Sequence, residues 1–365
     1  MTRPIQARVD LAALRHNYSV TRRYAGNTRV WAVLKANAYG HGLLRAALAL
    51  GGSADGYALI EIEGAIAVRE AGLRQPILLL EGFYAANEIP LIFAHALTPV
   101  VHSMHQVDML IRSIPAADAR MHVYLKLNTG MNRLGLNPSE LDPALRALNA
   151  ARHVGQITLM THFADADCGP QGRGIGEQMG RLNVMRSGLT HPASLANSAA
   201  LLRHPESLGG GEDWARAGIM LYGSSPFPEM TTAAELDLRP VMTLTSELIA
   251  VRDLVPGDRI GYGGTFVAEA PMKVGVIACG YADGYPRHAP TGTPVLVAER
   301  RCSTLGRVSM DKICVDLTNV PAADIGSPAV LWGRGLPADE VAASAGTISY
   351  ELFCALAPRV PVVEV

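Results

Sequence analysis

The segment VWAVLKANAYGHGLLRAALAL, residues 30–50, combines two periodicities in one short stretch. Its first five residues are uniformly apolar, as in a strand buried on both faces, and its last eight place apolar side chains at the three- and four-residue steps of a helix. A buried strand followed by an amphipathic helix is the repeating unit of a parallel α/β sheet. The polar residue at the junction is Lys35, which this unit would hold at the carboxyl end of its strand.

The same alternation continues over the first part of the chain. Amphipathic stretches such as EIEGAIAVREAGL and PSELDPALRALNAA separate short apolar runs. Eight such runs over roughly 200 residues predict a (β/α)8 TIM-type barrel, an α/β fold, with a doubly wound open sheet as the main alternative. The runs are VWAVLK (30–35), GYALI (56–60), PILLL (76–80), TPVVH (98–102), HVYLKLN (122–128), ITLMTHF (157–163), ASLAN (193–197) and ARAGIMLYG (215–223).

The sequence pattern changes near residue 232. Runs such as VMTLTSELIAVRDLV and MKVGVIACGYA predict strands, turn signals such as PGD at 256–258 separate them, and helical periodicity nearly vanishes. We therefore predict a barrel over residues 9–232 and a second, mainly β domain over residues 233–365. Residues 1–8, which lead into the strand-like run QARVDL, could complete that second domain.

Composition favours a small-molecule ligand. The 365 residues include 32 basic and 33 acidic side chains, so no net field attracts the chain to nucleic acid or to an anionic membrane. The N-terminus lacks the apolar core of a secretory signal, and no run is apolar enough to span a membrane. The five cysteines are scattered without CxxC spacing, which is typical of reduced thiols. These features predict a cytoplasmic protein.

Polar residues lie within the predicted barrel strands, at their ends or soon after them. The carboxyl ends of barrel strands form one mouth, where barrel enzymes carry their active sites. We therefore expect these polar side chains to converge. They are Lys35, Lys126, Asn128, Arg133, His162, Asn197, Ser198 and Arg216.

Lys35 is the candidate nucleophile of this mouth. A lysine behind the apolar run VWAVL is partly desolvated, which lowers the pKa of its amine and suits it to bond with a carbonyl group. The alternative is a lysine that extends from the strand end into solvent. Tyr39, Ser198 and the backbone around Gly218 and Ile219 could hold a phosphate nearby. A lysine, a phosphate site and two arginines together suit a phosphorylated aldehyde cofactor.

Two other patterns carry weaker signals. His162, Asp165 and Asp167 could bind a metal, but no second ligand cluster accompanies them, and solvated acids are the commoner explanation. The triple glycine at 209–211 lacks the Lys-Ser/Thr pair of a P-loop and is interpreted as a turn. We predict no metal site.

Nine motifs resemble the alanine racemase family, in order and over nearly the whole chain. They are AVLKANAYGHG, KLNTGMNRLG, THFADAD, ANSAA, RAGIMLYG, RIGYGGTF, GYADGYPR, GRVSMDKICVD and ISYELFCALAPRVP. The resemblance implies a (β/α)8 barrel followed by a β domain, pyridoxal 5'-phosphate as the cofactor, and interconversion of L- and D-alanine. Such an isomerase would supply D-alanine for peptidoglycan or act in alanine catabolism.

The resemblance also implies roles for individual residues. Lys35 would carry the cofactor covalently. Arg216 would face the pyridine nitrogen, His162 would pack beside the ring, and Arg133 would contact the phenolic oxygen. Arg133 and the main-chain N–H of Met310 would bind the substrate carboxylate. The cofactor phosphate would be held by Tyr39, Ser198, Tyr350 and the backbone of Gly218 and Ile219.

Racemisation needs a proton acceptor on one face of the α-carbon and a proton donor on the other. The resemblance implies that Lys35 takes the proton from the D-enantiomer and Tyr262 from the L-enantiomer. It also implies that Tyr262 reaches the active site of the other subunit, so that a two-fold homodimer is the functional unit. Lys126 matches a position that is carbamylated in some members, and Asn128 stands where the family usually has Asp.

Three other activities share parts of this pattern. A broad-specificity amino-acid racemase has related motifs but resembles exported proteins. A fold-related decarboxylase needs a cysteine- and acid-rich site in its β domain, which RVSMDKICVD does not supply. A pyridoxal-phosphate carrier of the same barrel type lacks the second domain and therefore any counterpart of Tyr262.

Overall fold

The computed structural model describes residues 3–113, 119–169 and 172–365. The chain begins with strand β1 (Gln6–Val9) and helix α1 (Leu11–Ala25), which Asp10 caps by accepting a hydrogen bond of 2.8 Å from the Ala13 N–H. Eight largely buried strands follow and run parallel. They are β2 (Arg29–Val33), β3 (Gly56–Leu59), β4 (Ile77–Leu79), β5 (Thr98–Val101), β6 (Met121–Lys126), β7 (Val154–Met160), β8 (Ala193–Ser194) and β9 (Trp214–Ala217).

These eight strands form a nearly closed barrel. Each pairs in parallel with its chain neighbour from β2 to β8, and β9 pairs with β2. Between β8 and β9 the regular ladder is replaced by single contacts, including Arg216 N–H to Ala196 O at 2.8 Å and the Ser194 hydroxyl to Trp214 O at 2.8 Å. The predicted barrel is confirmed, and the open-sheet alternative is wrong because the last strand returns to the first.

The predicted run ARAGIMLYG is only partly a strand. The structure ends β9 at Ala217 and continues with a 3₁₀ turn over Ile219–Tyr222. At Gly218 the backbone leaves the extended conformation, with φ −118° and ψ −97°. The chain therefore turns across the barrel mouth at this point instead of continuing along the barrel wall.

Helices with one apolar face cover the barrel. Helix α3, for example, buries Ala46, Ala47 and Leu50 and leaves Leu48 exposed. The segments between the barrel strands are α2 (Lys35–Tyr39), α3 (Leu43–Leu50), α4 (Ile62–Glu70), α5 (Ile89–Ala94), α6 (Met104–Arg112), α7 (Pro138–Ala150), α8 (Gly176–Met185) and α9 (Ser198–Arg203).

Segment α2 is a left-handed turn. Its backbone has φ values between 50° and 54° at four consecutive residues, Ala36, Asn37, Ala38 and Tyr39. This conformation costs roughly 1–2 kcal/mol per residue other than glycine, so packing must hold it. Two aromatic contacts do so, since the Tyr222 ring stacks on both Tyr39 and His41, with centroid distances of 4.7 Å and 4.6 Å.

The C-terminal part of the chain forms a separate, mainly β domain. Its sheet has the order β13-β16-β15-β14-β17-β10-β1-β18, and β11 pairs with β12. The elements are β10 (Met242–Leu254), β11 (Arg259–Ile260), β12 (Phe266–Val267), β13 (Met272–Ile277), β14 (Pro294–Val297), β15 (Arg300–Leu305), β16 (Ile313–Asp316), β17 (Pro328–Trp332), α10 (Ala338–Ser344), α11 (Ser349–Cys354) and β18 (Val362–Glu364).

Both chain ends meet in this second sheet. Strand β1 pairs antiparallel with β10, in the register Gln6↔Thr245 to Val9↔Met242, and parallel with β18. The two domains also share one continuous set of buried hydrophobic side chains. None of the helices that the structure describes is long and apolar enough to cross a bilayer.

Candidate active site

A cavity of about 640 Å³ opens at the carboxyl ends of the barrel strands. The strands and turns of the barrel supply most of its wall, and helix α11 of the C-terminal domain closes one side with Tyr350 and Cys354. Twelve residues singled out from the sequence line it. They are Lys35, Tyr39, Lys126, Arg133, His162, Asp167, Asn197, Ser198, Arg216, Gly218, Ile219 and Tyr350.

Tyr262 and Met310 lie outside this cavity. Tyr262 begins the 3₁₀ turn after β11, and Met310 lies in the loop between β15 and β16. Both side chains are on the surface of the C-terminal domain, at 69% and 52% exposure. The structure therefore does not bring them to the catalytic cavity of their own chain.

Lys35 lies at the junction of β2 and the left-handed turn. Burial lowers the pKa of its amine, and the positive charge of Arg133 lowers it further. No hydrogen bond within the described residues stabilises the ammonium form. The amine is therefore more available as a nucleophile and proton acceptor near neutral pH than an exposed lysine would be.

Arg216 is held rigidly at the base of the cavity. Its two terminal nitrogens donate to the Ser194 carbonyl at 2.7 Å, the Thr161 carbonyl at 2.6 Å and the Leu195 carbonyl at 3.1 Å. Burial lowers the pKa of Arg216 to about 10, so the guanidinium stays cationic at neutral pH. Its Nε–H has no acceptor among the residues described, so one fixed donor remains for a ligand.

His162 lies beside this guanidinium. Its Nδ1 is 3.4 Å from Nη2 of Arg216. Burial lowers the pKa of His162 well below its usual value, and the charges of Arg216 and Lys126 lower it further. The imidazole is therefore neutral, and it can pack its ring against a ligand without adding a charge.

Small groups and hydroxyls form a cradle around Gly218 in the wall of the cavity. The Gly218 N–H donates to the Ser198 hydroxyl at 2.9 Å, and a Cβ added at Gly218 would lie 2.7 Å from the Tyr39 hydroxyl oxygen. The rings of Tyr39 and Tyr350 are 5.8 Å apart, and burial raises the pKa of both phenols. The cradle therefore presents protonated hydroxyls around the backbone at Gly218, where any side chain would collide with the Tyr39 hydroxyl.

Lys126 and Arg133 extend the positive charge across the cavity. Burial, with the charges of Arg216 and Arg133, lowers the pKa of Lys126 to about 8. The side chain of Asn128 shapes the turn that leads to Arg133, since its Oδ1 accepts from the Gly130 and Asn132 N–H groups at 3.2 Å and 3.1 Å. Its Nδ2 also donates to Asn132 Oδ1 at 3.0 Å, a bond that an aspartate could not make.

Two lining residues were not predicted from the sequence. Glu81 directly follows the apolar run PILLL and contributes a carboxylate that raises the pKa of Lys35 and Lys126. The rule that polar groups after barrel strands face the mouth should have identified it. Cys354 lies four residues after Tyr350 on α11, one helical turn along the same face.

The cavity suits a ligand that carries several negative groups. It is lined by four basic side chains, Lys35, Lys126, Arg133 and Arg216, and by two acidic ones, Glu81 and Asp167. The unpaired amines and the cradle of hydroxyls lie at different places along its wall. A phosphate at the cradle and a carboxylate near the amines would compensate the excess positive charge.

Comparison with known proteins gives one consistent result. The family model for the alanine racemase N-terminal domain matches residues 9–226, and that for the C-terminal domain matches residues 241–364. An alanine racemase from Nitrosospira multiformis is 54% identical over 359 residues, covering 98% of this chain and 99% of its own. A catabolic alanine racemase from Klebsiella aerogenes is 52% identical over 363 residues, covering 100% and 99%.

Solved structures give the same result. The crystal structure of the biosynthetic alanine racemase from Pseudomonas aeruginosa superposes with a TM-score of 0.94 at 43% identity, covering 100% of both chains. The structure of alanine racemase from Acinetobacter baumannii superposes with a TM-score of 0.90 at 34% identity, again covering 100% of both chains. On the fold, the full-length sequence match and both family models, this chain belongs to the alanine racemase family.

Proposed function

We propose that this protein interconverts L- and D-alanine in the cytoplasm as a pyridoxal-phosphate-dependent homodimer. The observation that carries the proposal is the cavity itself. It combines an amine of lowered pKa at Lys35 with a hydroxyl cradle around Gly218 and a fixed guanidinium donor at Arg216. Both the biosynthetic and the catabolic relatives are alanine racemases, so the reaction is common to the two physiological roles.

The residues of the cavity fit a phosphorylated pyridine aldehyde. Lys35 would hold the aldehyde end, and Arg133 would lie near the phenolic oxygen. Arg216 would donate its free Nε–H to the ring nitrogen. The phosphate would be held by Tyr39, Ser198, Tyr350 and the backbone of Gly218 and Ile219. When bound, the cofactor supplies an electron sink that makes the α-hydrogen of an amino acid acidic.

Arg216 would keep the ring nitrogen unprotonated. A cationic guanidinium cannot accept a proton at neutral pH, and its hydrogen bonds to three backbone carbonyls prevent it from turning away. An unprotonated ring nitrogen weakens the electron sink. This role would limit side reactions such as transamination and favour return of the proton to the α-carbon.

Lys35 would move the proton on one face of the α-carbon. Its Nζ has a lowered pKa, so the amine is more available than that of an exposed lysine to take up and return a proton. Three other titratable groups of the cavity are poorly suited to the opposite face. Burial raises the pKa of the Tyr39 and Tyr350 phenols, and it lowers that of His162 far below neutrality.

The family resemblance implies that the second base comes from the partner subunit. Tyr262 is the candidate, because it projects from the surface of the C-terminal domain where a two-fold partner could receive it. In a symmetric dimer, Tyr262 of the partner subunit would face Lys35 across the substrate. The Met310 N–H of the same surface would bind the substrate carboxylate together with Arg133.

The cofactor and its attachment are testable directly. The purified holoenzyme should absorb visible light, and borohydride reduction followed by peptide mapping should place the pyridoxyl group on Lys35. The same preparation should racemise L-alanine, with L-serine, L-lysine and L-arginine measured in parallel to define its specificity. A colourless protein, or a label on Lys126, would contradict the proposal.

A further inference from the structure

A buried carboxylate ties three distant segments of the C-terminal domain together. Asp283 has a fully buried side chain that accepts hydrogen bonds from both terminal nitrogens of Arg3, at 2.7 Å and 3.0 Å, and from Arg359 Nε at 2.8 Å. The Gly280 N–H donates a fourth at 2.9 Å. Arg359 then bridges to Asp311 at 2.6 Å. We name Arg3, Asp283, Arg359 and Asp311 the Asp283 cluster.

The charges of this cluster are compensated internally. Burial alone would raise the pKa of Asp283, but the hydrogen bonds from Arg3 and Arg359 hold it below its usual value. The carboxylate is therefore ionised at neutral pH and bound by two guanidinium groups. A planar guanidinium and a carboxylate fix each other in orientation as well as in distance. Such a cluster is suited to setting the position of whatever backbone it anchors.

The backbone that it anchors is the loop between β15 and β16, residues 306–312, which we call the Met310 loop. Asp311 belongs to this loop, and its neighbour Met310 accepts a main-chain hydrogen bond of 3.0 Å from Ala282, the residue before Asp283. A Cβ added at Gly280 would lie 2.4 Å from the Met310 oxygen, so the two segments touch without a gap. The Met310 N–H has no acceptor within the described residues.

We propose that Asp283 is a positioning residue that holds the Met310 N–H toward the active site of the partner subunit. The proposal rests on the shared active site argued above. Asp283 does not line the barrel-mouth cavity of its own chain, and Met310 is exposed and outside that cavity. The cluster therefore acts on substrate bound by the other subunit, through the carboxylate contact that Met310 makes.

Kinetics of homodimeric variants test the positioning role. A hydrogen bond to the substrate carboxylate is present in both the ground state and the transition state, so its loss should raise KM and spare kcat. In Asp283→Asn we expect KM for both enantiomers of alanine to rise about tenfold, with kcat within about threefold of the parent. The dissociation constant for propionate, a carboxylate without the amino group, should rise by the same factor. Cofactor absorbance should stay unchanged.

Two further variants separate positioning from folding. Arg359→Ala removes the link to Asp311 but leaves Asp283 paired with Arg3, so it remains informative if Asp283→Asn fails to fold. It should reproduce the rise in KM. Arg23→Ala removes an ion pair of 2.6 Å with Asp237 on the barrel surface and should behave as the parent.

Heterodimers test whether the effect crosses the interface. A dimer of one Asp283→Asn chain and one Lys35→Ala chain, purified through two different tags, has a single competent site. That site combines Lys35 of the first chain with the intact Met310 loop of the second, so KM should return to the parent value. A KM that stays raised would show that Asp283 acts within its own subunit, and unchanged KM in the homodimers would show no positioning role. Either result would overturn the proposal.

Failure of the shared site itself gives a different signature. If Lys35→Ala and Tyr262→Phe chains form heterodimers without activity, the proposed function is wrong in its dimer arrangement, whatever the KM of Asp283→Asn. If those heterodimers are active, but KM stays raised in the heterodimer of Asp283→Asn and Lys35→Ala chains, the positioning role alone is wrong.

Discussion

At the scale of single residues, the chemistry of the cavity follows from its lining, in which four basic side chains have only two acidic ones to compensate their charge. Lys35 and Lys126 are desolvated together and lie within the field of Arg133, with Glu81 as a partial counter-charge. Each cation lowers the proton affinity of the others. Lowered pKa values of both amines are therefore a property of this neighbourhood, and bound anions would reverse part of the effect.

The folded state without cofactor should be destabilised by the charge on Lys126. Its pKa is about 8 in the folded chain, against about 10.4 when unfolded, so the unfolded state binds more protons between these pH values. The penalty is fully present below pH 8 and fades as pH rises toward about 10. Lys126→Met should thus raise the free energy of unfolding of the apoprotein by about 3 kcal/mol at pH 7. This difference between variant and parent should become smaller at alkaline pH.

Urea unfolding of parent and Lys126→Met apoproteins in CO₂-free buffers at several pH values measures this gap. The absence of CO₂ keeps the amine from forming a carbamate. A stability difference independent of pH between 7 and 10 would show that Lys126 is not desolvated in the folded chain.

Sequence patterns identified some of the functional residues and missed others. Position near the carboxyl end of a barrel strand was enough to select Lys35, His162, Ser198 and Arg216, because the fold turns strand ends toward one mouth. Tyr262 came only from the family resemblance, because neither periodicity nor composition distinguishes it from any other exposed tyrosine. The Asp283 cluster joins residues up to 280 positions apart, and no local pattern reports such contacts.

At the scale of elements, the left-handed turn and helix α11 form one unit. Gly40 follows the turn with φ +77°, and a Cβ added there would lie 2.1 Å from the Phe353 carbonyl oxygen of α11. The same helix carries Tyr350 into the cavity. Close contact between backbone segments thus sets the distance between the Lys35 side of the cavity and the Tyr350 side.

Gly40→Ala should therefore separate these two elements. Gly72 offers a matched control, since it has φ +89° but no atom within 4 Å of an added Cβ. Gly72→Ala should cost about 1 kcal/mol for its backbone conformation, whereas Gly40→Ala should cost at least about 2 kcal/mol more and release cofactor on dialysis. Thermal unfolding and cofactor retention measure both effects. Equal behaviour of the two variants would show that the contact does not shape the site.

The elements themselves were predictable where their pattern was long. The eight apolar runs each overlap one barrel strand, and their number predicts the barrel. Helices α10 and α11 span only seven and six residues, too short for a helical period to emerge. The left-handed turn is stabilised by Tyr222, which is remote in sequence, so local propensity gives no sign of it.

At the scale of the whole molecule, the two domains divide the proposed reaction. The barrel holds Lys35 and most of the cavity wall, while the exposed face of the C-terminal domain presents Tyr262 and the Met310 loop. Because β1 lies in the second sheet and α1 against the barrel, the domains are joined at the first residues of the chain as well as near residue 241. In the proposed dimer, one subunit would therefore carry both halves of the chemistry, but facing different sites.

Subunit mixing tests this division most directly. Lys35→Ala and Tyr262→Phe homodimers should each be nearly inactive, because every site lacks one base. After dissociation and reassociation, heterodimers contain one site with both native groups and one with neither. Since about half of the dimers are mixed and each has one good site, activity should return to roughly a quarter of the parent value. If mass spectrometry confirms subunit exchange and activity does not return, Lys35 and Tyr262 do not share a site across the interface.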